Sequence, residues 1–189
     1  MTDANDSPVD AQTEPSARFI PAHPPLTECA VEAEKYVAAS GWDQPIRLFA
    51  LVDAARFAAA EPQLADQVDA EQEGYVTVEQ DDLPEHDDVE DLLARIAWPA
   101  EVDGVAVALE RIVLPPGAED DLPSDAEAAT QALLDHPDRA DIRLLAAVSR
   151  TGERVCLVRQ RAHDSDDAVA SGEEIAPALL DALASTLED

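Results

Sequence analysis

Arginine is the residue type in this sequence whose clustering could create a binding site. A guanidinium group binds carboxylates and phosphates through paired hydrogen bonds. Six of the twelve basic residues fall between Arg139 and Arg161, together with only two acidic residues. That window carries a net charge of about +4, whereas the whole chain of 189 residues carries −30. The candidate residues for binding a ligand or a partner are Arg143, Arg154, Arg159 and Arg161.

Two interpretations of these arginines stay open. In the first, the guanidinium groups lie on a sheet edge or rim and pair with acidic residues elsewhere in the same chain. In the second, they form a face that binds an anion or a partner. The sequence does not show which carboxylates lie near them, so it does not decide between the two.

Other residue types show no catalytic or metal-binding arrangement. The four histidines lie in loops beside prolines or acidic residues, and none has a partner at the i, i+4 spacing of helical zinc sites. His163 precedes three aspartates, but the glycine and the terminal glutamate of a calcium loop are missing. The acidic runs 79–91 and 119–125 contain adjacent carboxylates, which are unavoidable in a chain with 42 acidic residues. We therefore predict no catalytic residues, no metal and no cofactor.

The motifs of nucleophilic and nucleotide chemistry are also absent from the sequence. It contains no G-x-S-x-G nucleophile elbow, no phosphate-binding loop and no G-x-G-x-x-G fingerprint. Cys29 falls in a predicted helix and Cys156 in a predicted buried strand, which favours reduced, packed thiols over a disulfide framework. Apolar neighbours would raise the pKa of the Cys156 thiol and make it unreactive. The protein is therefore more simply explained as a non-enzyme.

The net charge of −30 excludes some classes of partner. Nucleic acids and anionic membrane surfaces need a basic footprint, whereas basic proteins or cations suit an acidic surface. The first fifteen residues lack the basic and apolar regions of a signal peptide, and no apolar run approaches the roughly 18 residues of a membrane helix. We expect a cytoplasmic protein without membrane insertion, and salt adaptation is a second explanation of its acidity.

The arginines require an element that positions them, and residues 141–161 predict a β-hairpin. Gly152 supplies the positive φ that the short turn needs. Strands with apolar residues on both faces are usually covered on both sides, so we expect this hairpin in the middle of a sheet. The wholly apolar face of its first strand consists of Ile142, Leu144, Ala146 and Val148.

Further apolar patterns predict the elements around the hairpin. Predicted strands cover 46–52, 75–80 and 102–114, and predicted helices cover 28–40, 54–60 with a restart over 63–68, 87–97, 125–134 and 172–187. Thr27, Asp53 and Ser124 are the candidate N-caps. We predict an α+β fold with an antiparallel sheet of about five strands and flanking helices, as a single domain over residues 21–189. Residues 1–20 have the composition of a disordered acidic tail.

Three further stretches carry a resemblance to a known family: RLFALVDAARFAAAEP (47–62), WPAEVDGVAVALERIVLPP (98–116) and GEEIAPALLDALASTLED (172–189). With the hairpin between them, they resemble an uncharacterised family of acidic actinobacterial proteins of about this length. The resemblance implies a cytoplasmic actinobacterial protein and supplies no activity or site residues. Helix-flanked antiparallel sheets that end in a helix also resemble small secretion-chaperone-like folds, which dimerise and bind partner segments.

Two functional hypotheses follow from these patterns. The first is a non-enzymatic protein-interaction module, an adaptor or chaperone-like protein that binds another protein and that could form a homodimer. The alternative is a regulator or an enzyme that binds an anionic small molecule through the arginine cluster. The two differ in whether the arginines are free to meet a ligand, which only the fold decides.

Overall fold

The computed structural model describes residues 24–63 and 74–188, in which six strands form one antiparallel sheet. The strands are β1 (Arg47–Asp53), β2 (Tyr75–Glu79), β3 (Gly104–Val113), β4 (Ala140–Ser149), β5 (Arg154–Gln160) and β6 (Ala170–Ser171). Their order across the sheet is β2–β1–β3–β4–β5–β6. The predicted α+β fold is confirmed, and the additional strand is β6, whose two residues are too few to leave a sequence pattern.

Five helices are present in the same residues. They are α1 (Pro25–Ala39), α2 (Ala54–Ala60), α3 (Val89–Leu93), α4 (Ala126–Asp135) and α5 (Pro177–Ser185). Asp53 caps α2 as predicted, by accepting a hydrogen bond from the backbone N–H of Arg56 at 2.8 Å. The predicted caps Thr27 and Ser124 are wrong. Helix α1 begins one turn earlier, where Pro25 at the first position needs no N–H partner, and Asp125 caps α4.

Both faces of the sheet are covered, which explains why its central strands are apolar throughout. One face packs against α1 through a core that includes Leu26, Val37, Phe49, Leu51, Leu145 and Leu157. The other face packs against α3 and α5 through a core that includes Leu48, Val107, Leu144, Ala146, Leu180 and Leu183. Odd-numbered residues of β4 and β5 therefore face α1, and even-numbered residues face α5.

The predicted hairpin is confirmed as β4 and β5. The two strands pair in antiparallel register from Ile142 opposite Gln160 to Val148 opposite Arg154. Gly152 has a φ of 91°, so the turn uses the left-handed conformation that glycine adopts without strain. The two strands lie between β3 and the short strand β6, so the hairpin is inside the sheet.

Three predicted elements differ from the structure or lie outside it. The helix predicted over 87–97 is limited to the single turn of α3, because the chain turns away at residues 94–95. The helix predicted over 172–187 begins only at Pro177, because residues 170–171 form β6 and a 3₁₀ turn, Glu173–Ile175, follows. The helix restart over 63–68 and the predicted tail over 1–20 fall almost entirely outside the described residues.

Gly104 begins β3 at a position where the sheet leaves no room for a side chain. A Cβ added there would lie 2.6 Å from the backbone oxygen of Val148. We expect Gly104→Ala to lower the free energy of unfolding by about 1–3 kcal/mol, because backbone must move to admit the methyl group. Urea unfolding monitored by circular dichroism measures the change. Gly74→Ala is the matched control, since its Cβ meets nothing within 4 Å, and an equal loss in both variants would contradict the explanation.

Candidate functional site

The fold brings three of the four candidate arginines together. Arg143 and Arg159 lie opposite each other in the β4–β5 register and face α1, and Arg161 follows in the 3₁₀ turn after β5. Arg154 lies on the opposite face, because it is an even-numbered residue of β5. Its guanidinium binds the carboxylate of Asp181 in α5 at 2.5 Å. We call Arg143, Arg159 and Arg161, with Trp42 between them, the arginine cluster.

Arg159 forms a buried ion pair with Glu34 of α1. Its Nε and Nη2 atoms each donate to a Glu34 carboxylate oxygen at 2.7 Å, and both side chains are 3% exposed. Asp164 accepts a hydrogen bond from Nη1 at 3.1 Å, and Asp166 accepts one from Nη2 at 2.7 Å. The hydrogen bonds to Glu34 are the main reason that the pKa of Arg159 lies above its ordinary value. Four of the five N–H donors of the guanidinium are bound to carboxylates of the same chain, so Arg159 has little left to offer a ligand.

Arg143 is equally enclosed. Its side chain is 1% exposed, and its Nη2 atom donates to Glu110 at 2.9 Å and to the backbone oxygen of Gly41. The guanidinium carbon lies 4.4 Å from the centre of the Trp42 ring, within the range of a cation–π interaction. Gly41 has a φ of 82°, and this left-handed turn after α1 brings Trp42 over the arginine.

Arg161 is the most accessible member of the arginine cluster, with its side chain 37% exposed. It also lies over Trp42, at 5.0 Å from the ring centre, and its Nη2 atom binds the carboxylate of Asp43 at 2.6 Å. The Trp42 ring donates from Nε1 to Asp164 at 2.9 Å. This hydrogen bond, reinforced by Arg159, lowers the pKa of Asp164 below its ordinary value. The indole therefore contacts two cations and one carboxylate of the same network.

A depression of about 240 Å³ lies beside Arg161, but its charges are balanced. Three arginines and three acidic residues line it, and these are Arg111, Arg139, Arg161, Asp43, Glu110 and Asp141. Arg111 also binds Glu90 at 3.3 Å, and Arg139 lies 4.0 Å from Asp141. An anion that entered this depression would meet a carboxylate beside each guanidinium group, so the depression offers little net attraction.

The sequence patterns did not predict which residues pair with the arginines. Glu34 carried a usable signal, because it falls at helical spacing within the buried stripe of α1 that contains Leu26, Ala30 and Val37. A carboxylate in such a stripe requires a buried cation. Trp42 and Glu110 carried no comparable signal, since one lies in a loop and the other near the end of a strand.

A second feature is a groove between α1 and β6. Its volume is about 460 Å³, and its apolar lining consists of Val31 on α1, Leu157 on β5 and Val169 just before β6. The polar residues that line it are Thr27, Glu28, Glu32, Glu34, Lys35, Asp166 and Ser171. Glu28, Glu32 and Asp166 are exposed, so the rim of the groove is acidic while its floor is apolar. We call this feature the α1–β6 groove.

The two thiols lie in the cores. Cys29 of α1 and Cys156 of β5 are free and buried on opposite faces of the sheet. Burial raises the pKa of Cys29 to about 12, with a smaller contribution from Glu32, and that of Cys156 to about 11. Thiolates do not form at such pKa values near neutral pH, so neither side chain is a nucleophile.

The described residues contain neither a cluster of metal ligands nor a membrane-spanning helix. Within residues 24–63 and 74–188, no group of three or more histidine, cysteine, aspartate or glutamate side chains is arranged to hold a metal ion. Asp164 and Asp166, which follow His163, bind Arg159 instead. None of the helices in these ranges is long and apolar enough to cross a membrane.

Comparison with known proteins identifies a family for this chain. The family model described as PPA1309-like protein matches residues 26–188. The chain belongs to this family. The predicted membership of an uncharacterised family is confirmed, and the PPA1309-like family has no assigned function to transfer. No curated protein and no solved structure matches the chain significantly.

The PPA1309-like match contains both features of the candidate site. Glu34 and Arg159 lie within the matched residues, as do Val31 and Ser171 of the α1–β6 groove. The arginine cluster and the groove share α1 as a wall, since Glu34 binds Arg159 and also lines the groove. The ion pair therefore holds one wall of the groove against the sheet.

Removal of the Glu34 charge tests the strength of this connection. We expect Glu34→Gln to lower the free energy of unfolding by about 3 kcal/mol, because Arg159 is left buried with a neutral neighbour. The loss stays at the low end of the range for a broken buried pair, since Asp164 and Asp166 still bind the guanidinium. Urea unfolding measures it. Glu32→Gln, at an exposed position of the same helix, is the control and should change stability by less than about 0.5 kcal/mol.

The double replacement Glu34→Leu with Arg159→Met tests whether the stability lost in Glu34→Gln comes from an unpaired buried charge or from lost packing. Removing both charges should recover part of the stability lost in Glu34→Gln, because no buried ion is left without its partner, and Asp164 and Asp166, which also lose Arg159, are exposed to water. A double variant that is less stable than Glu34→Gln would show that the ion pair itself stabilises the fold beyond its own desolvation.

The lowered pKa of Asp164 predicts a pH-dependent effect of Trp42. A carboxylate with a lowered pKa stabilises the folded state above its unfolded pKa of about 3.9, and this contribution disappears as the pH falls through the folded pKa. Trp42→Phe keeps an aromatic ring but removes the N–H donor to Asp164. The variant should therefore be destabilised more at neutral pH than at about pH 2.

Urea unfolding of both proteins across this pH range measures the difference. Trp98→Phe is the control, because the Nε1 atom of Trp98 has no hydrogen-bond partner in the described residues. Its effect on stability should not change with pH. A constant gap between the wild-type protein and Trp42→Phe from neutral to acidic pH would contradict the prediction.

Proposed function

We propose that this protein is a non-enzymatic protein-interaction module, an adaptor or chaperone-like protein whose partner is a basic protein. The observation that carries the proposal is the α1–β6 groove, which combines an apolar floor with an acidic rim. Such a combination binds apolar side chains by burial and selects their neighbours by charge. The proposal places the protein in the cytoplasm.

The pairing of the arginine side chains within the chain supports a basic partner. Of the ten arginines in the described residues, nine have a carboxylate oxygen within 4.0 Å. The remaining one, Arg150, donates to the backbone oxygens of Trp98, Pro99, Val102 and Leu187. The arginines are thus engaged inside the chain, and the excess carboxylates define the surface that a partner meets.

Self-association into a homodimer is less well supported than binding of a different protein. A homodimer through acidic surfaces would bring together two chains of net charge −30, and their repulsion opposes association at moderate ionic strength. A basic partner gains attraction from the same surface. The balance of charge therefore favours a different protein over a second copy.

The alternative function is a regulator or an enzyme that binds an anionic small molecule through the arginine cluster. The internal pairing of Arg143 and Arg159 weighs against it, because a ligand would have to displace Glu110 or Glu34 from buried contacts. Arg161 is accessible, but Asp43 binds it at 2.6 Å. The interaction module is therefore the better supported function.

Affinity purification of the full tagged chain from cells of its source organism tests the proposal. We expect a reproducible protein of basic isoelectric point to be retained at about 50 mM salt and released at about 500 mM, because screening weakens charge attraction. The variant Glu28→Gln with Glu32→Gln should retain less of that protein. The matched control is Glu85→Gln with Asp87→Asn. It neutralises two exposed acidic residues that are distant in sequence from Glu28 and Glu32. A chain that purifies alone under both conditions would contradict the proposal.

A thermal-shift assay discriminates the alternative. The full chain is heated with phosphate, dicarboxylates and nucleotides, each in turn, and the melting temperature is recorded. The interaction module predicts no specific stabilisation by these anions. A ligand that raises the melting temperature of the wild-type protein but not of Arg161→Gln would instead support binding at the arginine cluster.

A further inference from the structure

We infer that an extended basic segment of the partner pairs with the outer edge of β6 and inserts an apolar side chain into the α1–β6 groove. This inference rests on the proposed function and specifies how the partner binds. The segment would become a seventh strand of the sheet. Backbone hydrogen bonds to β6 would hold it, the groove would select one of its side chains, and the acidic rim would select its charge.

Within residues 24–63 and 74–188, the hydrogen-bond pattern of β6 leaves its outer edge available. Ser171 pairs with Leu157 and Ala170 with Val158, and the backbone N–H of Gly172 donates to the oxygen of Cys156 at 3.0 Å. In an antiparallel pair, successive residues alternate between bonding to the partner strand and pointing away from it. The N–H and C=O groups of Ser171 therefore point away from β5, and β6 is an end strand of the sheet.

The α1–β6 groove lies on the side of this edge where alternate side chains of an added strand would enter it. Val169 and Ser171 share the α1 face of the sheet with Leu157, and all three line the groove. A strand beside β6 would direct every second side chain toward that face. An aliphatic side chain there would contact Val31, Leu157 and Val169. Its burial gives the segment a register that backbone bonds alone do not fix.

Charge determines which segment is accepted. Glu28 and Glu32 are exposed on the same face of α1 one helical turn apart, and Asp166 lies at the other side of the groove. Among the described residues, Lys35 is the only basic one that lines it. An acidic segment would be repelled. Lysine or arginine beside the inserted apolar residue would be attracted.

The opposite edge of the sheet provides an internal comparison. Gln80 donates from its backbone to Leu48 at 2.9 Å, and Thr77 pairs with Leu51. By the same alternation, the N–H of Thr77 points away from β1. This edge is longer than β6, but the α1–β6 groove does not reach it, since no residue of β2 lines that groove. Thr77 and Ser171 are therefore matched outward positions on the two edges.

Two synthetic peptides serve as probes. The first is a fluorescent heptapeptide in which lysine and valine alternate, so that it carries positive charge and forms a strand. The second has the same lysines but proline in place of valine, which keeps the charge and removes the ability to pair along its length. Fluorescence anisotropy with the full chain measures both dissociation constants. We expect the lysine–valine peptide to bind at least about tenfold more tightly, a difference of about 1.4 kcal/mol.

Single substitutions locate the binding. Ser171→Pro removes an outward N–H without removing a bond to β5, so it should weaken binding of the lysine–valine peptide by about tenfold or more. Thr77→Pro makes the same change on the other edge and should leave binding unchanged. Val169→Ser should weaken binding by removing apolar contact in the groove, and Glu28→Gln should reduce its dependence on salt. Circular dichroism of each variant shows whether the fold is retained.

The outcomes separate this inference from the proposed function. Equal binding of both peptides would show that charge alone attracts them, which overturns strand addition but leaves a basic partner in place. Loss of binding in Thr77→Pro but not in Ser171→Pro would place the partner at β2 and overturn the inference in the same way. If neither peptide binds while a basic partner co-purifies, the groove is not the docking site. If no partner co-purifies and neither peptide binds, both the inference and the proposed function fail.

Discussion

The ion pair between Glu34 and Arg159 connects the first helix of the described chain to a strand near its end. Both side chains are almost completely buried, so removal of either one leaves the other charge buried without its main partner. The bidentate geometry fixes the distance and the rotation of α1 relative to β5. Because Glu34 also lines the α1–β6 groove, the same contact sets the separation of its two walls. The same pair of charges therefore positions α1 on the sheet and shapes one wall of the groove.

The shortage of cations shapes the rest of the molecule. The chain has twelve lysine and arginine residues against 42 acidic residues, and the described arginines bind carboxylates or backbone oxygens within the chain. Arg150 illustrates the second use, because it joins the carbonyl groups that precede β3 to the end of α5. A surface left acidic in this way attracts cations and basic groups. The rim of the α1–β6 groove is part of that surface.

Local patterns predicted the parts of the fold that depend on neighbouring residues. Gly152 indicated the hairpin turn and Asp53 indicated a helix N-terminus. The positive φ of the turn and the side-chain acceptor of the cap are both supplied within a few residues. The predicted start of the last helix was wrong. Ala170–Ser171 pair with β5 as a strand, and the helix begins only at Pro177. Strand β6 has no apolar pattern of its own, so the groove beside it was not predicted.

The sequence by itself determined the acidity of the protein, an antiparallel sheet apolar on both faces, and the concentration of arginines in one hairpin. Only the tertiary structure decided where those arginines point. Arg159 and its partner Glu34 are 125 residues apart, and Arg143 meets Glu110 across β3 and β4. A charged side chain is compatible with any opposite charge. The packing of α1 on the sheet selects which one it meets, and a periodicity of two or of 3.6 residues contains no information about that packing.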